Sequence, residues 1–170
     1  MTSIIEFLKY ENFAKEIGAV NAKIIPVSAI IVENRIRLKC RYGCPNYFTH
    51  WTCPGQHDIT PWIFKEKILP CYNWALLIHT YTPKEMQRIA FEVEKKAFLD
   101  GHNLAFSIAN CTLCEQCKYP DPCHYPDKAR PSLSSVGISI FATVKQQGFY
   151  IETLKDKSEE PNWYSIVLID

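Results

Sequence analysis

Residues 111–126 read Cys-Thr-Leu-Cys-Glu-Gln-Cys-Lys-Tyr-Pro-Asp-Pro-Cys-His-Tyr-Pro, and no regular element accommodates that string. Pro120, Pro122 and Pro126 remove backbone donors that a helix or central strand needs, so the segment must run as a stiff loop. The loop places Cys111, Cys114, Cys117 and Cys123 within a few residues of one another. Thiolates are soft ligands that select zinc, copper(I) and iron–sulfur clusters. Structural zinc usually takes two separated C-x-x-C pairs. A C-x-x-C-x-x-C run instead wraps a cube, as in bacterial-type ferredoxins, where a fourth Cys followed by Pro completes the set. Here the fourth cysteine comes six positions after the third, with Pro126 three further on. The match favours a 4Fe–4S cluster and leaves zinc as the alternative.

A second group, Cys40-x-x-x-Cys44-Pro45 with Cys53-Pro54, occupies a predicted loop over residues 40–59. His50 and His57 lie beside it and are candidate further ligands, a donor type that suits zinc. Tyr42, Tyr47, Phe48 and Trp51 are expected to ring the site or to pack around the loop. In two-cluster ferredoxins the fourth Cys of a run ligates the other cluster, so Cys123 is a candidate for either group. The eighth cysteine, Cys71, is expected to be an ordinary core residue. The N-terminus has no basic region, and Glu6, Lys9 and Glu11 interrupt its apolar residues, which argues against a signal peptide. A cytoplasmic, reducing location follows as an expectation, and with it metal binding rather than disulfides.

The rest of the chain reads as one globular domain over 1–170, with 47% hydrophobic and 22% charged residues. A chain of this length buries roughly 70% of its unfolded surface, so its folding does not depend on a metal staple. Ile4, Ile5, Leu8, Phe13 and Ile17 predict a helix over 3–17. Residues 22–32 predict a strand or bent pair, with Pro26 marking an edge or bulge. Thr60-Pro61 and Thr82-Pro83-x-Glu85 are helix starts, the second a capping box, and Gly101 ends the second helix. Ile89, Val93 and Ala97 form that helix's inner stripe. The apolar run 74–79, the segment 104–108 and residues 163–169 predict strands, and 132–147 a helix broken near Gly137. Strands alternating with helices predict an α/β fold: a mixed or largely parallel sheet of about four strands, helices packed on it, and both cysteine-rich loops at one edge.

Leu38-Lys39-Cys40, Cys44-Pro45-Asn46-Tyr47, Cys53-Pro54, the 75–78 strand, Cys111 to Cys123, and Ala129-Arg130-Pro131-Ser132 through Phe141-Ala142-Thr143 occur in one order. In that order they resemble a family of predicted metal-binding proteins found in anaerobic archaea and bacteria. The resemblance covers residues 20–169, and its cysteine and Arg-Pro-Ser segments are the most specific. Where that family often has Pro-Pro after the third cysteine, this chain has Pro54-Gly55, which leaves the ligands intact. The resemblance implies metal binding and anaerobic life, and supplies no reaction.

An iron–sulfur protein passing electrons, or an accessory redox subunit of an anaerobic enzyme, is the leading expectation, holding one 4Fe–4S cluster and a second if the first loop also binds one. Its partner would be a redox protein or such an enzyme. The formal net charge of +1 gives no reason to expect nucleic acid or a membrane surface. An enzyme with one iron free of protein thiolate is the rival, since Cys40, Cys44 and Cys53 offer three ligands; Cys53 is too distant for the radical S-adenosylmethionine motif. A zinc-binding structural or metallochaperone role is the third reading. No phosphate loop, nucleophile elbow or H-E-x-x-H is present. Arg130 beside the second loop is a candidate cofactor-binding residue, either offsetting cluster charge or pairing with a carboxylate or phosphate.

Overall fold

A computed structural model describes residues 4–156 and 158–170. Helix α1 (Ile4–Glu16) leads into edge strand β1 (Asn21–Pro26). Then come α2 (Ile36–Gly43), α3 (Pro61–Ile63, continued by a π turn to Ile68 and a 3₁₀ turn to Cys71) and β2 (Trp74–Thr80). The chain continues through α4 (Pro83–Leu99), β3 (Phe106–Ile108), α5 (Ile140–Gln146) and β4 (Trp163–Leu168). Among the described residues, no helix is long and apolar enough to cross a membrane.

The four strands form one sheet in the order β1-β2-β4-β3, and every neighbouring pair is antiparallel. The expected parallel or mixed sheet is therefore wrong. Strands β2 and β3 do run in the same direction and are joined through α4, as a β-α-β unit should be. The last strand, β4, inserts between them and runs the other way, making a split β-α-β. The apolar run in β2 misleads because it reports coverage on both faces, not strand direction. Leu76 and Ile78 face a core built with α1 and α4, where Phe7, Tyr10, Ile89, Val93 and Ala97 are fully buried. Ala75 and Leu77 face a second core, with Phe64, Leu69, Val136, Ile138 and Val144. Each fully buried Leu or Ile stabilises by about 1.5–3 kcal/mol.

Both threonine N-caps form as expected, but the expected capping box does not close. Thr60 accepts from Ile63 N at 3.1 Å, and Thr82 accepts from Glu85 N at 3.2 Å. The Glu85 carboxylate bonds Arg88 at 2.9 Å rather than turning back to Thr82. Residues 132–139 form turns instead of helix. Ser135 N–H and hydroxyl bond back to Ser132, Gly137 takes φ +83°, and Ile138 bridges Val32. Cys71 is exposed, not core: the chain tightens from a π turn to a 3₁₀ turn, and Leu69 fills the interior position.

The expected common edge for the two loops also fails in its reasoning. The first loop leaves β1 at the sheet end where Pro26 pairs with Trp74. Strand β3 runs away from that same end, from Phe106 to Ile108, before the second loop begins. The loops nevertheless touch, because Trp51 Nε1 donates to the Asp121 carbonyl at 2.9 Å and its ring meets Tyr119 edge-on at 5.1 Å.

Candidate metal centre

The second cysteine loop is anchored at both ends to one helix face. Gln87 and Glu94 lie two turns apart on α4, within its buried stripe, and are only 4% and 9% exposed. Gln87 Oε1 accepts from Thr112 N at 2.5 Å and Thr112 Oγ1 at 2.8 Å, next to Cys111. Glu94 Oε2 accepts from Ser107 N at 2.7 Å, Ser107 Oγ at 2.6 Å and Arg130 Nε at 2.9 Å, while Oε1 accepts from Arg130 Nη2. Arg130 Nη1 donates to the Asp127 and Ala129 carbonyls, both at 2.9 Å. Its guanidinium also lies over the rings of Phe91 and Phe106, at 5.2 and 5.0 Å. Arg130 thus commits four of its five donors to the protein and holds the far end of the loop against α4 and β3.

Between these anchors Cys111, Cys114, Cys117 and Cys123 all line one pocket. Each is half-buried and free of disulfide. Burial first, and then the charges of Cys111, Cys117 and Cys123, push the Cys114 thiol above its ordinary range. A bound cation removes that mutual repulsion and deprotonates its thiol ligands. The donor set therefore suits a soft metal centre. The thiols border the pocket without converging on one point, and among the described residues no group of His, Cys, Asp or Glu grips a single ion.

The first loop contributes His50, Trp51 and Thr52 to the pocket rim, but not Cys40, Cys44 or Cys53. Cys40 sits buried within α2, a helix where sequence suggested loop. Cys44 is exposed, and the Cys53 thiol donates to the Asn46 carbonyl at 3.3 Å. Of the aromatics expected around the site, only Trp51 borders the pocket; Tyr47 and Phe48 pair with each other at 5.0 Å. His57 lies in the adjoining cleft with Cys123 and Arg130, its imidazole held below the ordinary range by burial and by Arg37. His50 Nδ1 is 2.8 Å from Thr49 Oγ1.

Sequence reasoning passed over Gln87, Glu94 and His124. The first two had a signal: polar residues on the same stripe as Ile89 and Val93 must be buried, and so require partners. His124 borders the pocket beside Cys123 and had none beyond that adjacency.

No curated protein and no solved structure matches the chain. Residues 23–169, which carry strands β2 to β4, helices α2 to α5 and all eight cysteines, match the family described as Predicted metal-binding protein (domain of unknown function 2284), and the chain belongs to that family.

Proposed function

We propose that Cys111, Cys114, Cys117 and Cys123 hold a 4Fe–4S cluster and that the protein serves electron transfer, or acts as an accessory redox subunit, in anaerobic cytoplasmic metabolism. The observation that carries this reading is that all four thiols of the C-x-x-C-x-x-C run and its partner line one pocket. When bound, such a cluster supplies one-electron chemistry. The chain's own part is positioning: Gln87 and Glu94 fix the loop ends, and Trp51 draws the first loop over the rim. A redox protein or an anaerobic enzyme is the natural partner for that chemistry. Protein purified anaerobically should be brown and contain iron and acid-labile sulfide in comparable amounts. A colourless protein with stoichiometric zinc overturns the proposal. It would favour the second reading, a structural or metallochaperone zinc site, which His50 and His124 at the rim support. The three cysteines of the first loop keep the open-iron enzyme as a variant of the first reading. Its signature is a second cluster that is lost in Cys40→Ala and perturbed by exogenous ligands.

A further inference from the structure

Gln87 lies on the buried stripe of α4, 4% exposed, and only half of its amide is accounted for. Its Oε1 accepts from Thr112 N at 2.5 Å and from Thr112 Oγ1 at 2.8 Å. A backbone N–H can only donate, so the amide oxygen must face Thr112, and this fixes the orientation of the group. Its Nε2 is shut off from solvent and has no hydrogen-bond partner among the described residues. Burying a donor unpaired is costly, and native proteins do it for a reason. Solutes entering the cleft of about 330 Å³ that Gln87 borders with Lys84, Phe91 and Lys128 do not reach that nitrogen.

Metal binding creates an acceptor close by. Thr112 N is joined directly to the Cys111 carbonyl carbon, so the Gln87 amide lies within one residue of the first thiol of the pocket. A thiol is a weak acceptor, whereas a metal-bound thiolate is anionic and a strong one. We propose that Gln87 Nε2 donates to the metal-bound Cys111 thiolate, so that one amide both anchors the loop and tunes the centre it carries. The bond itself needs only the four-thiol site; its redox consequence rests on the cluster reading. Reduction adds negative charge to a cluster, and a donor to its sulfur stabilises the reduced form more than the oxidised one. Glu94, the other anchor, has no such second role, because both its oxygens already accept from Ser107 and Arg130.

The test is an anaerobic redox titration of the full-length protein, with iron, sulfide and zinc measured on the same sample. Gln87→Leu removes donor and anchor together, whereas Thr112→Val removes one anchoring bond and leaves Nε2 in place. The midpoint potential should fall by about 59 mV in Gln87→Leu, equivalent to a tenfold weaker preference for the reduced form in a one-electron couple. In Thr112→Val it should stay at the wild-type value. Circular dichroism equal to wild type shows that both variants are folded; if Gln87→Leu is not, Gln87→Met keeps the length of the side chain and takes its place. The proposal is overturned if the Gln87 variant leaves the potential unchanged, or if Thr112→Val lowers it as much. Protein that holds zinc and no iron would sink the cluster reading alone. The bond is then read as zinc loss to a chelator, about tenfold faster in Gln87→Leu than in Thr112→Val, and equal rates overturn it. Protein that binds no metal overturns both.

Discussion

Glu94→Gln replaces the carboxylate at the junction of α4, β3 and the second cysteine loop with an amide of the same shape. The side chains of Glu94 and Arg130 are each 12% exposed, so the pair is buried and surface values of about 0.2–1 kcal/mol do not apply. Removing one charge leaves the Arg130 guanidinium half-satisfied away from water, which costs about 3–5 kcal/mol. For a chain of this size that loss lowers Tm by roughly 6–20 °C. It is a large share of the roughly 5–15 kcal/mol that holds an ordinary domain together. The double variant Glu94→Leu/Arg130→Met leaves no unpaired charge and should cost less than Glu94→Gln. Its remaining loss, about 1–3 kcal/mol, comes from Ser107, whose N–H and hydroxyl lose their acceptor. Urea titration followed by circular dichroism, at matched metal content, reads these differences. Hydrogen exchange should show the Glu94→Gln loss concentrated in residues 107–131 (the loop that Arg130 secures). A loss below about 0.5 kcal/mol, or a double variant worse than the single, would refute the assignment of this pair as the loop's anchor.

Trp51→Phe removes the bond to the Asp121 carbonyl at about 1 kcal/mol and should speed metal release, read by chelator competition, without shifting secondary structure. Gly137→Ala would put a Cβ 2.5 Å from Pro61 Cβ at φ +83°, so about 2–5 kcal/mol of stability should be lost, read as a lowered Tm. Metal removal should leave most far-ultraviolet ellipticity in place, because both cores are built from the sheet and its helices; a global collapse on chelation contradicts this. Burial holds the His79 imidazole below its ordinary value of 6.5, against an opposing bond to Asn162. The unfolded chain therefore binds the proton first, so this contribution to stability is complete above about pH 6.5 and declines as pH falls below it. A His79 ring titration by NMR with a pKa at or above 6.5 would contradict that sign.

Strands β1, β2 and β4, helices α1 and α4, and the threonine caps were legible because each rests on local rules of period, capping and proline placement. Residues 132–139 were misread as helix because Ser132 and Ser135 satisfy each other locally, an alternative that periodicity does not register. Cys71 was misplaced because a switch from π to 3₁₀ winding rotates the last residues of the segment, and nothing in the spacing announces it. At the site, the four clustered cysteines were readable from spacing alone. Their anchors, Gln87 and Glu94, were readable in principle as polar residues on an apolar stripe, though not the partners they would find.

The sequence by itself determined that a proline-stiffened loop would present four thiols together, because 3- and 6-residue separations keep them near each other however the rest folds. It also determined that β2 would be covered on both faces, since every one of its central residues is apolar. Only the tertiary structure decided the direction of the sheet and the company the loop keeps. Strand direction depends on where the last strand inserts, and β4 enters between β2 and β3 through pairings some 60–90 residues distant in sequence. The same long-range closure brings Trp51 against Asp121 and Arg130 against Glu94. Such contacts are fixed by the packing of two cores on one sheet, and a local pattern carries no record of them.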